Sequence, residues 1–470
     1  MYKNYDEFIE KIRNKKILFC GIGRSNVPFI NTLTSKNLKV KVYDSKQEQN
    51  LDKNLIRQLK ENKLVSLYMN DESVWNEQND IIVRTPGMNF LCEKLLKAQK
   101  NGAIITSEME IFFDLCPCTI IGVTGSDGKT TVSTLIYEML NSQGIKTHLG
   151  GNIGFPLLPR LSQMEKDDVA VVELSSFQLI SMRKSPDIAV VTNISPNHLD
   201  VHKNMEEYIN AKIQIISHQN AFSKAVLNFD NPETKAMKDI TRAQTLFFSI
   251  SNKLDTGVWK DENENIIISN HGIDKIIMNA SDIKIPGTHN VENYLAAIGA
   301  VSEFVSFENI KKVAKSFNGV EHRIEFVEKV NDVTYYNDSI ASTPNRTVKG
   351  ILSLFDKKII LIAGGYDKNL PFESFAQEIV KKVSILILLG KTSDKIEKSI
   401  KNLKCYNGDN PQIIKTNSME KAVETAYKIS KPGDIVALSP ACASFDLYKN
   451  FEDRGNHFKS LVKSLKLKYI

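Results

Sequence analysis

The chain has 470 residues, of which 42% are hydrophobic and 25% are charged. This length exceeds what one compact core usually holds, so we expect two or three domains. The net charge of +6 is not gathered into dense basic blocks. That pattern argues against nucleic acid as a partner but is compatible with a phosphorylated small molecule.

The chain begins with the acidic segment MYKNYDE, and nowhere do eighteen apolar residues follow one another. We therefore expect no signal peptide and no membrane-spanning helix. The six cysteines are scattered, as is usual for reduced thiols. Cys116 and Cys118 could form a metal or redox pair, but no second Cys/His pair at ligand spacing completes a zinc site, so ordinary thiols are favoured. A cytoplasmic, soluble protein is expected.

Runs rich in Ile and Val alternate with stretches of helical period, a pattern typical of βα units and mostly parallel sheets. The prediction is an α/β fold of three domains: residues 1–110 Rossmann-like, residues 111–318 a central P-loop ATPase-like parallel sheet, and residues 319–470 Rossmann-like again. Residues 252–285 are the least periodic and predict short strands and loops. The predicted strands are, in chain order, 16–20, 81–83, 119–123, 169–172, 188–192, 225–228, 333–336, 359–362, 385–389 and 435–438.

In the first block, a glycine turn at Gly21 and Gly23 follows a strand, and Asp44 ends the next strand. This resembles a dinucleotide fingerprint, which would suggest an NAD-dependent oxidoreductase. The fingerprint is incomplete, because G-x-G-x-x-G requires glycine where Asn26 stands. A Rossmann-like site for a UDP-sugar, with the pyrophosphate at the helix N-terminus, and a purely structural turn both stay open.

The second block opens with a strand and the glycine-rich turn GVTGSDGKTT at 122–131. Gly122 stands one place too early for a standard P-loop, so the motif is G-x-x-G-x-x-G-K-[ST]. Such glycines let backbone N–H groups surround phosphate oxygens, Lys129 reaches the β/γ-phosphates and Thr130 can hold Mg²⁺. ATP is therefore the predicted cofactor. The residues predicted to bind it are Gly122, Thr124, Gly125, Ser126, Asp127, Gly128, Lys129, Thr130 and Thr131.

Three further polar residues follow in this block. Glu173 comes at the end of a buried strand, where it suits a Mg²⁺ ligand or the cap of the next helix. His198 ends another strand, although a lone histidine is more often structural. Lys212 lies on a predicted helix. These features do not decide between a kinase, a motor ATPase, a ligase and a non-catalytic nucleotide-binding regulator.

Six motifs in a fixed order resemble the Mur ligases, which add amino acids to UDP-N-acetylmuramic acid, and their relative folylpolyglutamate synthase. The resemblance covers essentially the whole chain. The motifs are the phosphate loop, GGNIG at 150–154, ELSSFQ at 173–178, NHLD at 197–200, GTHNVEN at 287–293 and HR at 322–323.

The resemblance implies roles for these residues. It implies catalytic roles for Lys129, Asn152, Glu173, His198 and Lys212. It places Mg²⁺ on Thr130, Glu173, His198 and on Lys212 if that lysine is carbamylated. It adds Asn293, Arg323 and Asp338 to the nucleotide site, and it assigns the UDP part of the substrate to Gly23, Arg24, Ser25, Asp44 and Gly87.

The C-terminal run LSPACASFDLYKNFEDRG at 438–455 resembles the family member that adds D-glutamate. The implied substrates are UDP-N-acetylmuramoyl-L-alanine and D-glutamate, and a monomer is expected. A lysine and hydroxyls suit an extra carboxylate. Ile340 and Asn197 depart from the usual family residues, and DNPQ at 409–412 lacks the arginine of the diaminopimelate-adding relative. The residues implied to hold D-glutamate are Ser342, Lys368, Ser444 and Phe451.

Overall fold

A computed structural model of the chain describes residues 4–23, 25–196, 202–368 and 370–468. The strands among these residues form three sheets, each built mainly from parallel pairs. This is the mixed α/β architecture that the alternating pattern predicts. Within the described residues, no helix combines the length and apolar character needed to cross a bilayer.

The first sheet is parallel throughout and has the strand order β3-β2-β1-β4-β5. Its strands are β1 (Ile17–Cys20), β2 (Val40–Asp44), β3 (Val65–Met69), β4 (Ile81–Arg84) and β5 (Ile104–Ser107). Its helices are α1 (Tyr5–Ile12), α2 (Asn26–Ser35), α3 (Lys53–Glu61), α4 (Glu93–Lys100) and α5 (Glu108–Leu115).

The second sheet has the order β14-β13-β12-β11-β10-β9-β6-β8-β7, and its pairs β12–β13 and β13–β14 are antiparallel. Its strands are β6 (Thr119–Thr124), β7 (Thr147–Gly151), β8 (Val169–Glu173), β9 (Ile188–Val191), β10 (Lys224–Asn228), β11 (Gln244–Ser249), β12 (Gly257–Lys260), β13 (Asn265–Asn270) and β14 (Ile273–Asn279). Its helices are α6 (Lys129–Ser142), α7 (Ser176–Leu179), α8 (Met205–Ser217), α9 (Pro232–Ala236), α10 (Thr288–Val301) and α11 (Phe307–Ser316). The predicted short strands in residues 252–285 are confirmed as β12 to β14.

The third sheet has the order β15-β16-β20-β17-β18-β19, with only its β15–β16 pair antiparallel. Its strands are β15 (Glu325–Val330), β16 (Val333–Asn337), β17 (Ile359–Ala363), β18 (Val383–Leu388), β19 (Gln412–Lys415) and β20 (Ile435–Leu438). Its helices are α12 (Pro344–Lys349), α13 (Ile351–Leu354), α14 (Glu373–Lys382), α15 (Ser393–Lys401), α16 (Met419–Ile429) and α17 (Phe451–Lys468).

The chain divides into two compact units, residues 1–282 with 288–315 and residues 283–287 with 316–470. One continuous apolar core runs through the first unit and joins residues of both of its sheets, such as Phe19, Phe112, Leu158 and Val172. The third sheet has its own cores on its two faces. The predicted boundary at residue 110 falls between the two sheets of the first unit and stays a prediction, as does the boundary at 318.

Candidate active site

The glycine-rich turn lies between β6 and α6, and its backbone requires glycine at two positions. Gly125 has φ 151° and Gly128 has φ 79°, a region that side chains other than glycine rarely adopt. A Cβ at Gly125 would lie 1.9 Å from Thr192 Oγ1, and one at Gly128 would lie 2.4 Å from Asn293 Oδ1. Helix α6 begins at Lys129, next to the predicted start near Thr130. The sequence motif therefore forms a closely packed strand–turn–helix, the arrangement in which such turns bind phosphate.

Polar side chains at the end of β9 and on α8 hold this turn from one side. Ser126 is buried, and its Oγ donates to the carbonyl of Ser195 (2.9 Å) and lies 3.0 Å from the hydroxyl of Tyr208. The backbone N–H of Asp127 donates to Asn193 Oδ1 (2.9 Å). Because these bonds fix the turn before any ligand arrives, little conformational entropy remains to be lost on binding.

Two lysines converge on one carbonyl oxygen of the turn. Lys129 Nζ donates to the carbonyls of Gly125 and Ser126, both at 2.9 Å. Lys212 Nζ, from α8, donates to the same Gly125 carbonyl at 2.8 Å and lies 3.4 Å from Thr124 Oγ1. The ammonium group of Lys129 at the start of α6 favours a polyanion at this turn.

Lys212 has an unusual environment for a lysine. Only 1% of it is exposed, and its Nζ lies 4.8 Å from the centre of the Tyr208 ring. Burial, together with the charge of Lys129, holds the pKa of Lys212 well below its ordinary value, although Asp127 and Glu173 act in the opposite direction. A depressed pKa leaves more of the amine neutral and nucleophilic at neutral pH.

Glu173 brings a carboxylate to the same edge of the sheet, as the sequence predicts from its place at the end of β8. It is 1% exposed, and its Oε1 accepts a 2.8 Å hydrogen bond from Asn152 Nδ2. Its Oε2 is buried and has no hydrogen-bond partner in the described structure. A buried carboxylate oxygen left unpaired beside a phosphate-binding turn is suited to a hard divalent cation.

Of the other predicted ligands of that cation, Thr130 lies in the first turn of α6 and Lys212 on α8, whereas one falls outside the described residues. His198, together with the departure at Asn197, lies outside the described residues. Within the described ranges, no group of three or more His, Cys, Asp and Glu side chains is gathered as a metal site would gather them. Cys116 and Cys118 are free thiols with their sulfur atoms 3.5 Å apart, and they have no such group around them.

The glycine turn of the first sheet is organised around Asp44. The Asp44 carboxylate accepts hydrogen bonds from the backbone N–H groups of Ile22 and Lys46, both at 2.9 Å. Gly21 has φ 93°, and a Cβ there would lie 2.5 Å from Thr85 Cγ2. Of the other residues predicted for UDP, Gly23 and Gly87 lie on the turns after β1 and β4, Ser25 precedes α2, and Arg24 lies outside the described residues.

Asn26 explains why the dinucleotide fingerprint is incomplete. Its side chain is fully buried, and Nδ2 donates to the carbonyls of Cys20 (3.1 Å) and Gly21 (3.0 Å). The amide therefore ties the start of α2 to the turn, where the fingerprint's third glycine would instead allow close helix–strand packing.

Sequence reasoning missed Arg84, at the end of β4. Only 1% of it is exposed, and its guanidinium donates to the carbonyls of Met88 (3.2 Å) and Phe177 (3.3 Å) and to Ser181 Oγ (2.5 Å). It thus connects the first sheet to α7 and to the residues that follow that helix. The only sequence signal is an arginine in the last position of an otherwise apolar strand, which is too weak to assign a role.

In the third sheet, Asp338 follows β16. Ser439 Oγ donates to its Oδ2 at 2.7 Å, and the backbone N–H of Ile324 lies 3.3 Å from its Oδ1. Burial raises the pKa of Asp338 to about 7, while the bonds and the charges of Arg323 and Arg346 act against that rise. Asp338 is therefore a carboxyl group poised to change charge near neutral pH.

Of the four residues predicted to hold D-glutamate, three lie on loops that follow β16, β17 and β20, and Phe451 is the first residue of α17. Neighbouring loops are tied by backbone bonds from Gly364 N–H to the carbonyl of Pro440 and from Tyr366 N–H to that of Ala443, both 2.9 Å. Lys368 is exposed, Ser444 is buried, and the Phe451 carbonyl accepts from Ser339 Oγ (2.8 Å). The loops that carry Ser342, Lys368 and Ser444, together with the start of α17 at Phe451, thus lie at one edge of this sheet.

Arg454, which sequence reasoning also missed, holds those loops together. It is 3% exposed, and its guanidinium donates to the carbonyls of Ser339 (2.8 Å), Cys442 (3.1 Å) and Ala443 (3.1 Å), while Nε donates to Ser339 Oγ (3.0 Å). Burial lowers the pKa of Arg454 to about 10. One side chain thus fixes the loops after β16 and β20.

This combination of a phosphate-binding turn with a second α/β unit agrees with the comparisons to known proteins. The Mur ligase middle domain matches residues 123–301, and the Mur ligase glutamate ligase domain matches residues 322–442. The chain therefore belongs to the Mur ligase family, a conclusion that its full-length relatives support.

Two full-length relatives carry the same name. The UDP-N-acetylmuramoylalanine–D-glutamate ligase of Acetivibrio thermocellus is 46% identical over 468 residues, which cover 99% of this chain and 100% of the relative. The enzyme of the same name from Clostridium tetani is 46% identical with the same coverage.

Two solved structures share the fold at low sequence identity. UDP-N-acetylmuramate-alanine ligase from Thermotoga maritima aligns with a TM-score of 0.56 at 16% identity, covering 96% of this chain and 100% of that one. A UDP-N-acetylmuramoyl-L-alanyl-D-glutamate–2,6-diaminopimelate ligase aligns with a TM-score of 0.57 at 17% identity, covering 97% and 94%.

Proposed function

We propose that this chain is an ATP-dependent amide ligase that joins D-glutamate to UDP-N-acetylmuramoyl-L-alanine in the synthesis of peptidoglycan precursors. The observation that carries the proposal is the convergence of Lys129, Lys212 and the buried Glu173 carboxylate on the glycine turn. Full-length relatives of that name support the choice of substrates.

A free carboxylate is a poor electrophile, so the reaction requires two steps. An oxygen of the alanyl carboxylate attacks the γ-phosphorus of ATP, and the bond from that phosphorus to the β,γ-bridging oxygen breaks, which gives an acyl phosphate and ADP. The amine of D-glutamate then attacks the acyl carbon and loses a proton, and inorganic phosphate leaves with the electrons of the C–O bond. Lys129, at the start of α6, offsets the negative charge that gathers when the two anions meet.

The residues on the turn suit Mg²⁺. Thr130 and Glu173 would hold the ion, with His198 as a further ligand, and the ion would neutralise phosphate charge. Asn152 positions the Glu173 carboxylate through its 2.8 Å hydrogen bond. Because Glu173 Oε2 has no other partner in the described structure, the ion would satisfy a group that is otherwise costly to bury.

Lys212 carries a carbamate in this proposal. Carbon dioxide adds to the neutral amine and a proton is released, which turns a buried cation into a carboxylate-like metal ligand. The burial of Lys212 and its lowered pKa favour the neutral amine that this addition needs. Enzyme prepared free of carbon dioxide should be less active and should regain activity when bicarbonate is added. An activity that does not depend on bicarbonate would contradict the carbamate.

The remaining site assignments belong to the same proposal. The nucleotide contacts Gly122 to Thr131 together with Asn293, Arg323 and Asp338. The chain works as a cytoplasmic monomer with domains 1–110, 111–318 and 319–470. The UDP part of the acceptor is held by Gly23, Arg24, Ser25, Asp44 and Gly87, and D-glutamate by Ser342, Lys368, Ser444 and Phe451.

Phosphate release is the direct test. Purified protein is mixed with ATP, Mg²⁺ and UDP-N-acetylmuramoyl-L-alanine, and either D-glutamate or L-glutamate is added. Release with D-glutamate only, and its loss in Lys129→Ala, are the expected results. Release with a different amino acid or with a folate acceptor would point to another member of the wider family. Nucleotide binding without release from any pair of substrates would indicate a regulator.

A further inference from the structure

The loop after β7 carries an exposed aromatic ring beside the candidate active site. Phe155 is 67% exposed, although large apolar side chains are usually buried. It stands three residues after Asn152, which donates to Glu173. A large apolar surface presented next to polar catalytic groups is typical of a small-molecule site.

The backbone under this ring is tightly held, so the exposure does not come from a loose loop. The Phe155 carbonyl lies so near Gly150 that a Cβ at that glycine would be 2.5 Å away. Gly154 turns the chain with φ 61°, and Leu157 and Leu158 are fully buried in the core of the first unit. The ring is thus presented on a rigid support.

Arg160 lies next to the exposed Phe155 ring. Its guanidinium carbon lies 4.9 Å from the centre of the Phe155 ring, on the short 3₁₀ helix Leu158–Gln163. Within the described part of the chain, no carboxylate lies within ion-pair distance of it. Stacking on the ring restricts the Arg160 side chain, and the N–H groups of its guanidinium stay available to bind an anion.

The loop after β7 and its 3₁₀ helix contact segments of both sheets of the first unit. The 3₁₀ helix packs against α2, which follows the glycine turn of the first sheet, and also against α5. The loop that carries Phe155 begins at Gly151 and Asn152, next to Glu173. The loop therefore lies next to one segment proposed to bind the acceptor and carries a helix that packs against an element following the other.

We infer that Phe155 and Arg160 bind the amino-sugar part of the acceptor and align its carboxylate with the phosphate turn. This inference rests on the proposed function and adds two positioning residues to it. The apolar face of a pyranose ring packs on the phenyl ring, as sugars do on aromatic side chains in concave sites. Arg160 attracts the anionic acceptor and, by stacking, holds the ring in one orientation.

The test separates acceptor binding from catalysis. Phe155→Ala and Arg160→Ala are each expected to raise the KM for UDP-N-acetylmuramoyl-L-alanine by about 3- to 10-fold, the range that aromatic and cation–π contacts give. The KM values for ATP and D-glutamate should change less than about twofold. Phe155→Tyr should keep the acceptor KM near that of the unaltered chain, because it preserves the ring.

Matched controls lie at the opposite edge of the second sheet. Phe222 and Arg242 are exposed and precede β10 and β11, so they lie at the amino ends of strands. Phe222→Ala and Arg242→Ala should leave every KM unchanged. Calorimetric titration with UDP alone supplies a second readout: its affinity should not change in Phe155→Ala, since the ring contacts the sugar beyond the pyrophosphate.

Two results would overturn the inference. One is an acceptor KM that stays within twofold in both alanine variants while the unaltered enzyme turns over. The other is an equal loss of affinity for UDP and ATP, which would mean that the substitutions merely disturb the fold. If the unaltered protein releases no phosphate with this acceptor, the proposed function itself fails, and that outcome is distinct from both.

Discussion

The glycine turn allows a prediction in which geometry alone separates two substitutions. Gly128 precedes α6 and Gly144 follows it, with φ 79° and 83° respectively. A Cβ at Gly128 would lie 2.4 Å from Asn293 Oδ1, whereas a Cβ at Gly144 would meet nothing within 4 Å. Alanine at either position therefore suffers the same backbone strain, but only Gly128→Ala also forces a side chain of the candidate site to move.

The expected losses of stability follow from the backbone strain and from the displacement of Asn293. A left-handed alanine costs about 1–2 kcal/mol, and displacing Asn293 also breaks its 3.2 Å hydrogen bond to Asn290 Oδ1, worth about 1 kcal/mol. With about 2.1 cal/mol/K of unfolding entropy per residue, a unit of about 310 residues loses about 1.5 °C of Tm per kcal/mol. We expect Tm to fall by about 3–5 °C in Gly128→Ala and by about 1.5–3 °C in Gly144→Ala.

The affinity for ADP should distinguish Gly128→Ala from Gly144→Ala more clearly than the Tm does. Isothermal titration with ADP should show at least a tenfold weaker Kd for Gly128→Ala, because the turn no longer holds its shape, and an unchanged Kd for Gly144→Ala. Scanning calorimetry supplies the Tm values, and Asn293→Ala in the Gly128→Ala background should restore part of the lost Tm. An unchanged ADP Kd in Gly128→Ala, or an equal loss in Gly144→Ala, would refute the reasoning.

Three further predictions concern single side chains. Glu173→Gln should lower kcat by about 100-fold and raise the Mg²⁺ concentration needed for half-maximal rate, because it replaces the carboxylate proposed to hold Mg²⁺ with a neutral amide; an unchanged Mg²⁺ dependence would contradict this. The pKa of Asp338 is raised to about 7, so the folded chain holds a proton that the unfolded chain releases above pH 4, and this group's contribution to stability falls as pH rises from about 4 through 7. Chemical denaturation should show a smaller fall in Asp338→Asn than in the unaltered chain, while Glu108, whose pKa is also raised to about 7, keeps its own contribution in both; an equal pH dependence in the two proteins would contradict this. Arg454→Lys should destabilise the second unit by about 2–4 kcal/mol, because a lysine cannot reach the four acceptors that Arg454 contacts. The same substitution should raise the KM for D-glutamate more than the KM for ATP, and an equal rise in both would count against this role.

Local signals in the sequence were sufficient for the fold and for the phosphate turn. Strands that are buried on both faces appear as unbroken apolar runs, and Gly125, Gly128 and Lys129 are close in sequence, so their spacing already describes the turn. Glu173 could be predicted for the same reason, because a polar residue at the end of a parallel strand lies at the ligand edge of the sheet.

Long-range contacts could not be predicted in this way. Arg84 and Arg454 bind carbonyl groups of distant loops, and backbone carbonyls leave no trace in the residue types. The resemblance to a family pointed to Lys212, but its depressed pKa and its shared contact with Gly125 depend on how α8 packs against β6. Exposure of Phe155 likewise depends on the buried leucines that follow it.

The apolar core that the first two sheets share has a consequence for the proposed choice of substrate. Phe19 and Val172 belong to the same core, so the turn at Gly21 and the turn at Gly125 are anchored to one solid body. The distance between the two turns is set when the chain folds. A ligand could change it only by deforming the packed core, which costs free energy. If the proposed acceptor site is correct, this fixed distance selects molecules by the separation of their pyrophosphate and terminal carboxylate. Shorter or longer analogues would then bind at one of the two turns only.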